Sequence, residues 1–119
     1  MARDLAGFPR PVLAALAAGE RLLTRRAGAK VVLADPEDLG GSDRSVVARA
    51  RVARNPFSLP RTLVVKHYLG DPDPNRPDPF HYEVASCQLF TALPADARPS
   101  PVLIAYDQQA RLLVLEDLG

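Results

Sequence analysis

The 119-residue sequence predicts an α+β domain: a five-stranded antiparallel sheet, a helix inserted after the third strand, and a further helix at the N-terminus. Two observations carry this. Apolar residues recur at helical spacing in two stretches and at alternating spacing in five short ones. Turn-like text separates most of these stretches, and their order is helix, three strands, helix, two strands. Hydrophobic residues make up 47% and charged residues 24%, which is enough apolar surface for one small core.

The elements follow in order. Pro9 and Pro11 suit a helix start. Val12, Leu13, Leu16, Leu22 and Leu23 continue it to Arg26, and Gly28 can stop it. Lys30–Ala34 reads as the first strand and Asp35–Ser45 as turn-rich text. In Ser45–Val52, Val46, Ala48, Ala50 and Val52 fall on one face; Val47, Arg49 and Arg51 fall on the other. Arg54–Pro60 is a hairpin-like connection, and Thr62–Tyr68 is the next strand. Gly70–Pro79 holds four prolines in ten residues, so it is a loop. Phe80–Leu93 reads as a helix closed by Pro94. Pro101–Tyr106 and Arg111–Glu116 are strands joined by Asp107–Ala110.

Composition excludes several classes. With 15 basic and 14 acidic residues the net charge is +1, so neither nucleic acid nor an anionic membrane is an expected partner. The one cysteine, Cys87, can form no internal disulfide and fits a reducing cytoplasm. Val12–Ala18 has the look of a short secretory segment, but Asp4, Pro9, Pro11 and Glu20-Arg21 break that pattern. No stretch approaches the roughly 18 apolar residues of a membrane span. His67, His81 and Cys87 do not have the spacing of a metal site. The acidic loop Gly70–Pro79 reads as solvated rather than as a cation site.

Two charges sit on apolar faces. Phe80, Glu83, Cys87 and Phe90 share one helix face. Either Glu83 marks the wet edge of that helix, with Tyr82, Leu89 and Leu93 buried instead, or its carboxylate points inward and needs a cation. Val64, Lys66 and Tyr68 share one strand face, opposite Leu63, Val65 and His67. An inward Lys66 and an inward Glu83 on adjacent elements predict an ion pair across the sheet–helix interface. Such a pair adds little net stability, but it fixes an ammonium at one point, for instance against phosphate oxygens. Leu39–Val46 contains Gly40-Gly41-Ser42. A glycine hairpin turn is the plain reading; the same residues can also bring backbone N–H groups and the Ser42 hydroxyl close to a phosphate.

In this order the elements resemble the N-terminal lobe of the protein-kinase-like fold, most closely the aminoglycoside/choline phosphotransferase family. Three stretches carry the resemblance: LGGSDRSVVARARV (Leu39–Val52), LVVKHY (Leu63–Tyr68) and LLVLEDLG (Leu112–Gly119). It covers Val31–Gly119 and divides the chain into a helical extension, 1–28, and a kinase-like lobe, 29–119. It implies that ATP is the ligand. Lys66 would bind the α- and β-phosphates, and Glu83 would hold Lys66. Gly40, Gly41 and Ser42 would cover the phosphates. Val64 would lie on the adenine, Leu115 would line the back of its pocket, and backbone groups of Glu116 and Leu118 would bond its edge. The loop departs from the full glycine pattern at Asp43-Arg44-Ser45. No text like H-G-D-x-x-x-x-N is present, so the resemblance implies that the catalytic and magnesium-binding residues belong to a second lobe beyond the hinge. RLLVLEDLG then reads as the last strand and the start of the linker. The expectation is an ATP-binding lobe, inactive alone, whose cleft side pairs with that lobe or self-associates. A non-catalytic binding or regulatory module, or an unrelated small domain, would share the same elements.

Overall fold

Helix α1 (Arg10–Ala27) has Pro11 in its first turn, where the missing N–H costs nothing, and ends at Gly28 in the left-handed conformation at φ 70. This computed structural model describes residues 7–56, 58–70, 73–91 and 102–117. The strands are β1 (Val32–Ser42), β2 (Ser45–Arg54), β3 (Thr62–Tyr68), β4 (Leu103–Asp107) and β5 (Leu112–Glu116), with helix α2 (Pro79–Thr91) inserted after β3. They form a single antiparallel sheet in the order β1-β2-β3-β5-β4. Leu93, Pro94 and Pro101 lie outside the described residues.

The first strand differs from expectation. The turn-rich text 35–42 is a continuation of β1, with register shifts between Ala34 and Glu37 and between Asp38 and Gly40. These bulges absorb Pro36, which cannot donate to a ladder, and the positive φ of Asp35 (52°). Gly40-Gly41 is therefore the end of a strand, and the turn itself is Asp43-Arg44.

Antiparallel partners share a sheet face, so the register sorts the side chains into two layers. On one face α1 packs Val12, Leu16, Leu22 and Leu23 against Leu33, Ala48, Ala50, Leu63, Val65, Leu112 and Val114. Gly19 lets the helix approach closely: a Cβ there would stand 3.2 Å from Val65 and 3.3 Å from Leu33. Thr24 and Glu20 anchor the approach by accepting the Val31 and Leu33 N–H groups at 3.1 and 2.8 Å. On the opposite face α2 packs Phe80, Val84 and Cys87 over Leu113 and Leu115, with Val64, Tyr68, Leu103 and Tyr106 around them. Here α2 lies over the β4–β5 side, and Val47, Lys66 and Tyr68 on the β2–β3 part of that face line an open cleft.

Asp78 and Arg111 position α2. Asp78 accepts the Phe80 N–H at 3.1 Å, which satisfies one of the helix's first free donors. The same carboxylate takes Arg111 at 2.7 and 3.1 Å, and Arg111 also donates to the Gly70 carbonyl at 2.6 Å. The loop was expected to be solvated. Asp78 is instead largely buried, because a planar guanidinium can satisfy a carboxylate and a carbonyl together.

Candidate functional site

Lys66 and Glu83 meet. The Lys66 Nζ lies 2.7 Å from Glu83 Oε1, with about a quarter of each side chain exposed. Period-two alternation brings Lys66 to the α2 face of β3, and the Phe80–Cys87 stripe turns Glu83 toward it. The alternative stripe is excluded where it is described, since Tyr82 and Leu89 are both 64% exposed. Tyr68 shares the face and donates its hydroxyl to the same Glu83 oxygen. Burial pushes the Lys66 ammonium toward a lower pKa, but its hydrogen bonds to Glu83 and Tyr68 outweigh this and the net shift is upward. The Tyr68 phenol is also raised, by burial first and then by its bond to Glu83, so it remains a donor at neutral pH.

These three residues line an open cleft of about 1350 Å³ whose wall continues through Gly41, Ser42 and Val47. Gly41 has no alternative residue. Its φ is 133°, and a Cβ there would lie 2.4 Å from the Ser45 carbonyl oxygen. Some of the loop's polar groups are already engaged. The Gly40 N–H donates to Asp38 at 2.9 Å, and Ser42 Oγ accepts the Arg44 N–H at 3.2 Å while pairing with Ser45 Oγ at 3.0 Å. Arg44 and Arg76 add cations to the rim, and Arg76 is held loosely by Asp73 at 3.9 Å.

The structure thus brings Gly41, Ser42, Lys66 and Glu83 to one cleft. Gly40, Val64, Leu115 and Glu116 do not line it. Leu115 lies buried in the α2 core, with Val64 packed on that cluster. The Glu116 N–H donates to the Val102 carbonyl at 3.0 Å, and its carboxylate accepts the Val102 N–H at 3.1 Å. Leu118 lies outside the described residues.

Sequence reasoning missed several members. Val47 stands opposite Lys66 in the register, a fact that alternation alone cannot supply. Outside the cleft, Arg49 reaches across β3 to Asp117 at 2.9 Å and back to Glu37 at 2.9 Å, while Thr62 donates to Asp117 at 2.9 Å. Among the described residues no three His, Cys, Asp or Glu side chains converge as a metal site. No described helix is long and apolar enough to cross a membrane. A second hollow of about 350 Å³ between α1 and the β4–β5 turn contains none of the expected site residues; Arg25 and Asp107 pair there at 2.8 Å. Neither protein-family models nor curated proteins provide a match to this chain.

Proposed function

We propose that this chain is the ATP-binding N-terminal lobe of a small-molecule phosphotransferase. The complete enzyme would pass the ATP γ-phosphate to a hydroxyl of an aminoglycoside, sugar, choline or similar metabolite. The observation that carries this reading is the Lys66–Glu83 pair at 2.7 Å, facing the cleft beneath the Gly41–Ser42 strand end. A sheet lysine paired to a carboxylate of the following helix is the arrangement that kinase-type phosphoryl transfer requires.

The donor set suits a polyphosphate. Lys66, Arg44 and Arg76 line one cleft, and the ordered turn places Ser42 beside them. Val47, on the same sheet face as Lys66, offers apolar surface for a base. In this reading ATP supplies the transferable phosphoryl group. Lys66 neutralises and orients phosphate oxygens, and Glu83 keeps the ammonium at a fixed point. The catalytic aspartate and the magnesium ligands would belong to the second lobe, so the isolated chain is inactive and binds ATP weakly. Magnesium would arrive with the nucleotide.

The test is thermal stabilisation by magnesium–ATP. The native chain should gain stability with rising nucleotide, and Lys66→Ala should lose that gain while keeping its unliganded midpoint within a few degrees. An equal response in both proteins would favour the other reading, a non-catalytic binding module that uses this face for a protein partner.

A further inference from the structure

One group in the cleft is not needed for a simple lysine–glutamate pair. Tyr68 donates to the same Oε1 that holds Lys66. Its ring is fixed on three sides: edge-on to Phe80 at 6.2 Å, with Lys66 Nζ 5.1 Å and the Arg111 guanidinium 5.8 Å from its centroid. Arg111 in turn holds Asp78 at the start of α2. The hydroxyl is thus placed by Phe80 packing and by a second ion pair as well as by Lys66.

An isolated pair has a weakness as an anion site. When the ammonium is shared with a phosphate oxygen, its hold on the half-buried carboxylate weakens and the carboxylate's desolvation is less fully offset. A second donor on the same oxygen removes that cost. We propose that Tyr68 is a positioning residue for the phosphate site: it keeps the Glu83 carboxylate in place while Lys66 is shared between Glu83 and the ligand. The inference rests on the nucleotide reading above and deepens it. No proton is transferred; the phenolic hydrogen stays on Tyr68.

The experiment uses the whole chain and magnesium–ATP, with inorganic tripolyphosphate as a base-free probe. Affinities are read from amide chemical-shift titrations of the native protein, Tyr68→Phe, Glu83→Gln and the double variant. Phenylalanine keeps the ring contacts, so the fold should persist. A hydrogen bond to a charged group corresponds to a loss of about tenfold or more in affinity. Tyr68→Phe should show that loss for both probes, and in the Glu83→Gln background it should add less than about twofold, because it acts through Glu83. The native Tyr68 hydroxyl proton should be slowly exchanging without ligand and stay so at saturation. Native-like affinity in Tyr68→Phe, an undiminished loss in the Glu83→Gln background, or a hydroxyl proton lost on saturation overturns the proposal. If native protein binds neither probe, the nucleotide reading itself fails. If it binds both and only Lys66→Ala abolishes binding, the role of Tyr68 alone is refuted.

Discussion

Removing the Asp78 carboxylate should loosen α2 at its root. In Asp78→Ala the Arg111 guanidinium loses both carboxylate contacts, at 2.7 and 3.1 Å, and the helix loses the acceptor for the Phe80 N–H. The two side chains are 8% and 13% exposed. Breaking a fully buried pair by removing one partner costs about 3–5 kcal/mol, and losing a helix cap about 1 kcal/mol. Arg111 keeps its Gly70 carbonyl and reaches some solvent, so a net loss of about 2–3 kcal/mol is expected. For a domain of this size that lowers the melting midpoint by about 10 °C. Urea titration followed by circular dichroism measures it. Arg111→Met should cost a similar amount, and the double variant should fall well short of the sum, since both remove one interaction. The Arg111 hydrogen bond also holds the Asp78 carboxyl below its ordinary value of 3.8. A depressed folded-state value stabilises the fold above the unfolded pKa and is lost as pH falls through the folded one. The native chain should therefore lose more stability below about pH 4 than Asp78→Ala does. A loss under about 1 kcal/mol, or strictly additive variants, would refute the account of α2 docking.

Other predictions are independent of that pair. Gly41→Ala should cost about 2–3 kcal/mol in urea unfolding, from backbone strain and the clash with Ser45, whereas Gly40→Ala, with open space around it, should cost less. Phe80→Ala should cost about 3–5 kcal/mol, and exposed Leu89→Ala should stay within about 0.5 kcal/mol, both read from denaturant midpoints. His67 has a buried Nδ1 with no partner among the described residues, and burial lowers its pKa from 6.5. The unfolded chain binds that proton more readily, so stability should decline as pH falls below 6.5 through the lower folded-state value. His67→Leu should flatten that slope in a pH series of urea titrations.

Much of the fold could be read from pattern because alternation and helical spacing report burial directly. β3 and the inward face of β2 are marked by clean period-two text, and α1 by its prolines and Gly28. The extent of β1 was hidden because bulges let a strand carry Pro36 and two glycines that usually end one. Lys66 and Glu83 were legible for a different reason: each is a charge on an apolar face, and such charges need partners. Val47, Arg49 and Arg111 carried no comparable signal. Their importance comes from register and from contacts across long sequence separations, which local text does not encode. Asp78 was hidden by its setting, since a proline-rich acidic loop reads as solvated until its buried cation is located.

The most direct test of the central claim is an amide shift map of the native chain with magnesium–ATP. The account predicts shifts concentrated on Gly41–Val47, Lys66–Leu69 and Glu83–Ser86, and absent in Lys66→Ala. No shifts at millimolar nucleotide, or shifts centred on the hollow around Thr24, Lys30 and Ala110, would contradict it.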